Sequence, residues 1–154
     1  MERTDRKIRL CTALIIVNVL FIWGNSLLPG SVSGAISHFV RDILSFLFGG
    51  GSSDSESGHG LIRKLAHFTE FACLGALFTW LFGMLSKPLP IALPCGFLIA
   101  CMDETIQRFV PNRGPAFKDV LIDTAGVLVG IGLLFLGYTI RKKRAKQSLK
   151  ETKS

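Results

Sequence analysis

Residues 10–28 read LCTALIIVNVLFIWGNSLL, and this stretch decides the class of fold. Asn18 alone interrupts its apolar part, and Trp23 stands toward its far end. Its length is near that needed to cross a hydrocarbon core of about 30 Å. Comparable blocks follow at 65–85 and 120–140, with a shorter one at 89–106 in which Pro94 and Gly96 predict a bend. Around them the chain is poor in charge: 19% of its 154 residues are Asp, Glu, Lys or Arg, and mean hydropathy is +0.44. A soluble domain this small has much surface for its volume and needs more polar residues to cover it. The expectation is an all-α integral membrane protein, a small polytopic helical bundle with four transmembrane helices plus one amphipathic helix.

A secretory signal peptide is the rival reading of the first block, which has a basic start, an apolar core and small residues at 31–35. Its length, and its end at Leu27-Leu28-Pro29 without a small-x-small site, favour a retained span. Residues 32–48 are different. Ile36, Phe39, Val40, Ile43, Leu44, Leu47 and Phe48 recur at helical steps, with Ser33, Ser37, Arg41 and Ser45 opposite. That pattern predicts an interfacial amphipathic helix. The Gly/Ser-rich run at 49–58 predicts a flexible linker, and Lys87, Pro88 and Pro90 a turn. Gly126 and Gly130 form a small-xxx-small pair suited to close helix contact. Cys11, Cys73, Cys95 and Cys101 lack CxxC spacing and read as small buried apolar residues.

Net charge is +7, and its placement separates the candidate partners. Arg3, Arg6, Lys7 and Arg9 are set against Glu2 and Asp5 at one end; Arg141, Lys142, Lys143, Arg144, Lys146, Lys150 and Lys153 against Glu151 at the other. A nucleic-acid binder would spread basic residues over a folded face with aromatics among them, so membrane lipids replace nucleic acid as partner. Lys and Arg near span ends tend to stay in the cytoplasm. Four spans then put both termini, Lys87 and a basic tail at 141–154 on the cytoplasmic side of a multi-pass cell-membrane protein.

That topology brings three helix ends to the outer leaflet, and the unusual ionisable residues lie there. Arg63, His67 and Glu70 are four and three apart and share a helix face. Asp103 and Gln107 form a second set, with Glu104 and Arg108 beside them; Asp119 and Asp123 form a third. Polar groups at membrane depth are costly unless paired or hydrated, so they face a bundle interior or a wet cavity. Three such faces at one depth predict one cluster. Plainer roles exist for each: headgroup anchors at Arg63 and Lys64, a structural pair at His67 and Glu70, a locking network at 103–108. Asp119 also suits a helix cap, and Arg113 a solvent-facing place in the turn Pro111-Asn112-Arg113-Gly114-Pro115.

Taken in order, Arg63-Lys64-Leu65-Ala66-His67-Phe68-Thr69-Glu70-Phe71, then Asp103-Glu104 with Gln107, Phe109, Pro111 and Arg113, then Asp119 with Asp123 and Gly126, the chain resembles the VanZ-like family of bacterial membrane proteins. The motifs lie over 63–130 and the resemblance extends from about 10 to 140. Asn25-Ser26 matches the family's first outer loop loosely. Phe71 stands where Tyr is frequent in the family, and Asp123 where Asn is common. The resemblance implies a small multi-span protein, some relatives of which are linked to low-level resistance to glycopeptides such as teicoplanin. It supplies no reaction.

The reading preferred from these residues is an outer-leaflet polar site that engages an envelope component, such as a lipid-linked cell-wall precursor, or a glycopeptide antibiotic. Its ligand-binding residues would be Arg63, His67, Glu70, Asp103, Glu104, Gln107, Arg108, Arg113, Asp119 and Asp123. Arg63 and Arg113 can clamp a phosphate or carboxylate in bidentate fashion. The acidic residues can take a cationic part of the ligand or hold the arginines. The rival is an enzyme acting on a phosphate-containing lipid, with His67 as base, Glu70 as its orienting carboxylate, and a divalent ion across Asp103, Glu104 and Asp119 as one variant. The third is a structural or accessory membrane protein. No metal or cofactor enters the preferred reading.

Overall fold

The computed structural model describes residues 2–29, 32, 35, 39, 56–87, 89–111 and 116–151. Most of them lie in four α-helices: α1 (Glu2–Leu27), α2 (Glu56–Met84), α3 (Ala92–Gln107) and α4 (Phe117–Glu151), with a short 3-10 turn at Leu89–Ile91 leading into α3. There is no strand among the described residues. Three stretches, Glu2–Leu27, Ile62–Met84 and Phe117–Ala145, are long and apolar enough to cross a membrane. At 1.5 Å per residue the 16 residues of α3 rise only about 24 Å.

Large apolar side chains point outward on every helix. Val17, Leu20, Phe21, Leu65, Leu98 and Leu133 each keep more than half of their surface uncovered. Water would penalise so much exposed apolar area, whereas hydrocarbon is indifferent to it. The centre is a thin seam of Cys11, Ile15, Ile22, Phe71, Leu74, Ala92, Ala100, Val120 and Val127.

Glycine makes that seam thin. A Cβ on Gly126 would land on the Phe68 carbonyl oxygen, one on Gly130 on that of Ala72, and one on Gly75 on that of Val127. The small-xxx-small pair of α4 thus lies directly on the backbone of α2, where van der Waals packing replaces a hydrophobic driving force. Gly96 of α3 closes on the same place: its Cβ would stand 2.7 Å from both Val127 methyls. α3 runs as one helix through Pro94 and Gly96. Pro94 is the third residue of α3, where its missing N–H has no helical partner to lose, and Gly96 is there for contact.

Helix boundaries differ from the hydropathy blocks. α1 begins at Glu2, so the basic leader is its first turns, with Glu2 and Asp5 at the electropositive end. α2 begins at Glu56, which removes 56–58 from the expected linker; 49–55 lie outside the described residues. Val32, Ala35 and Phe39 are helical, and the rest of the expected amphipathic helix at 32–48 lies outside them. The basic tail expected from 141 continues α4 as helix to Glu151. α2 closes with Ser86 in the left-handed region at φ 53°, the Lys87 N–H donating to the Phe82 carbonyl at 2.9 Å and that of Ser86 to Gly83 at 3.4 Å. This is a Schellman turn with serine where glycine is usual. The cysteines are free; Cys11 is buried as expected, Cys95 and Cys101 are half-buried, and Cys73 is exposed on the apolar flank of α2.

Candidate functional site

The C-terminal ends of α1 and α3 meet the N-terminal parts of α2 and α4, and hydrogen bonds tie the four together. From α1, the Asn25 amide donates to Glu70 Oε1 of α2 at 2.8 Å. Ser26 Oγ, wholly buried, accepts from the Gln107 amide of α3 at 3.1 Å. The same Gln107 nitrogen donates to Asp103 Oδ2 at 2.6 Å, one helical turn away. Across the other side, Lys64 Nζ of α2 lies 3.1 Å from Asp119 Oδ1 of α4. His67 Nδ1 stands 3.5 Å from Glu70 Oε2, both side chains 12% exposed.

These elements border a narrow cleft lined by Arg63, Lys64, His67, Gln107, Asp119, Ile122 and Asp123, with room of about 10 Å³, on the scale of one water molecule. Glu70 and Asp103 sit behind it, reached through His67 and Gln107. Asp123 is 4% exposed and lies within Coulombic reach of Asp103, Asp119, Glu104 and Glu70. The concentration of acid is eased by the start of α4, whose free N–H groups and dipole favour negative charge beside Asp119.

The expected single cluster is divided. Asp103 and Gln107 turn toward the cleft, but Glu104 and Arg108, one residue on, occupy the next face of α3. Glu104 Oε1 accepts the Ala116 N–H at the head of α4, so it, and not Asp119, satisfies that helix start. Arg108 is exposed. Both line a separate crevice of about 210 Å³ with Cys101, Thr105, Ala116, Phe117 and Val120. Arg113 lies outside the described residues. Lys64, expected as a headgroup anchor, is a cleft residue paired with Asp119. No three His, Cys, Asp or Glu among the described residues are grouped so that they could hold a metal ion.

Asn25 and Ser26 complete the site from a helix that the charge pattern overlooks. The available signal is their position, two adjacent uncharged polar residues that close an otherwise apolar span. Chemically the arrangement offers cations at the cleft (Arg63, Lys64), an imidazole and an amide on its walls, and a buried carboxylate at Asp123. Among the described residues no serine, threonine or cysteine lines the cleft, and Ser26 behind it is fully covered.

A comparison with protein-family models matches residues 10–138 to the one described as VanZ/LLP1. Searches of curated proteins and of solved structures return no match.

Proposed function

The chain belongs to the VanZ/LLP1 family, and on that premise we propose that it is a multi-pass membrane protein whose polar cleft engages a cell-envelope component or a lipoglycopeptide. Its cellular effect would be low-level glycopeptide resistance of the teicoplanin type. The observation that carries this reading is the cleft itself: Arg63, Lys64, His67, Gln107, Asp119 and Asp123 converge from three helices that otherwise expose hydrocarbon-compatible surface. Structural charges alone would be expected to pair off within the bundle. Arg63 instead lines the cleft with no ion pair among the described residues.

In this reading α3 and its 3-10 lead, together about 30 Å long, form the fourth span. Both basic ends face the cytoplasm, and the cleft opens at the outer leaflet of a bacterial membrane, where wall precursors are exposed. Tags on each terminus should be protected in intact cells; an accessible C-terminus would overturn the orientation.

A second reading rests on the His67–Glu70 contact, which is the geometry of a base with an orienting carboxylate and would suit attack on a phosphate-containing headgroup by water. One experiment separates the two. Purified wild type, His67→Ala and Arg63→Gln are assayed for binding and for turnover of lipid-linked wall precursors and teicoplanin. Binding without turnover, weakened by Arg63→Gln, supports engagement. Turnover abolished by His67→Ala in a folded protein establishes the enzyme in its place, and unchanged binding in both variants removes the cleft from either role.

A further inference from the structure

α1 carries one polar side chain near the middle of its apolar stretch, and the bundle gives it no partner. Asn18 stands about halfway along residues 10–28. Its Oδ1 is covered by neighbouring atoms yet accepts no hydrogen bond among the described residues. Hydrocarbon offers none either, so an amide left this way at membrane depth is costly. On the other helices, by contrast, Thr69, Thr79, Thr105, Thr124 and Thr139 each return their hydroxyl to a carbonyl one turn back.

Asn18 borders an open groove of about 490 Å³ between α1 and α2, walled otherwise by Leu14, Val17, Phe21, Cys73, Ala76 and Leu77. The groove shares no residue with the polar cleft. Leu14, Val17 and Phe21 follow one another at steps of three and four, and Leu10 and Gly24 extend the row in both directions. That is the 3.5-residue repeat by which one helix packs along another with a left-handed crossing. A Cβ on Gly24 would meet nothing within 4 Å, so its missing side chain serves no contact inside the bundle.

Whatever fills the groove must supply apolar surface and also a hydrogen-bonding group at the depth of Asn18. A lipid tail supplies only the first. A second copy of this chain supplies both. Two copies in one membrane share an orientation, so a two-fold axis along the membrane normal sets identical residues at identical depth. A primary amide holds donors and an acceptor together, and its broad last torsion lets it turn both toward a partner. We infer that the chain forms a parallel homodimer in which the α1 rows of two copies pack over this groove, the Asn18 amides hydrogen-bonded across the axis.

The test is energy transfer between donor- and acceptor-labelled copies of the full chain in phosphatidylcholine vesicles, over a series of lipid dilutions. Transfer should persist on dilution and fit a dimer. Asn18→Val should raise the dissociation constant roughly five- to thirtyfold, the range of interhelical hydrogen bonds in model spans. Asn18→Gln keeps the amide and should lose less. On oxidation, Val17→Cys should form linked dimers well above the background from the native cysteines; Leu133→Cys, on the outward face of α4, should not. Wild type that stays monomeric at every dilution overturns the inference with no variant required, and leaves the groove to lipid. Folded Asn18→Val that associates as wild type does overturns it as well. Should Asn18→Val not fold, the cross-links decide: an excess at Val17→Cys supports the dimer, and equal yields from Val17→Cys and Leu133→Cys place the contact on another face and sink the idea.

Discussion

Gly130→Ala is the sharpest test of how this bundle is held together. A methyl group there would occupy the position of the Ala72 carbonyl oxygen, a backbone atom that no rotamer change can move aside. Either α2 and α4 separate or one helix distorts. Overpacking of this kind costs about 1–3 kcal/mol. The substitution also removes a helical glycine, worth up to about 1 kcal/mol in the opposite direction. Gly132 supplies the control, since a Cβ there meets nothing within 4 Å and only the favourable part applies. Gly130→Ala should therefore fall below Gly132→Ala by about 2 kcal/mol. Gly126→Ala should behave like Gly130→Ala, and the double variant should cost less than the sum because both open the same contact. Unfolding of the purified protein in bicelles, followed by tryptophan fluorescence, measures the difference. Equal stabilities for Gly130→Ala and Gly132→Ala would show that the helices are not in backbone contact and would refute the reasoning.

Gln107→Leu should cost about 2 kcal/mol in the same assay, because Ser26 loses one partner and the buried Asp103 carboxylate another; Ser26→Ala should cost less, about 1 kcal/mol. Gly96→Ala should destabilise by pressing on the Val127 methyls, and Val127→Ala should partly rescue it, a coupling read from a double-mutant cycle. Ser86→Gly should stabilise by roughly 0.5–1 kcal/mol by relieving the left-handed conformation at the end of α2. Lys64→Met should change stability by less than about 1 kcal/mol, since the Lys64 side chain is 40% exposed.

Hydropathy located the spans because hydrocarbon imposes one dominant demand on the side chains that face it. Helix ends obey weaker rules. Nothing in Glu56-Ser57-Gly58 favours a helix, yet α2 begins there, and the charged residues after 140 do not stop α4. Once a turn exists, extension is cheap, so a polar flank can continue it. Periodicity placed Arg63, His67 and Glu70 on one face, and the structure directs that face inward. It could not distinguish Asp103 from Glu104, adjacent residues that serve different clefts. Gly96 was ambiguous for a similar reason: a missing side chain reads alike whether it permits a bend or a close approach. Asn25 and Ser26 carry no charge, and only the arrival of α1 beside α2 and α3 gives them a role.

Val127 is one helical turn beyond Asp123, and it is trapped from two directions, its carbonyl beneath Gly75 and its methyls against Gly96. Asp123 therefore rides on a helix that cannot slide, and Arg63 on the helix to which it is clamped. Their separation is therefore set by backbone packing, and widening it would mean prising backbone from backbone. Among the described helices, α1 stands outside this glycine clamp and reaches the site through the Asn25–Glu70 and Ser26–Gln107 hydrogen bonds, so that wall of the site rests on polar contacts instead of backbone packing.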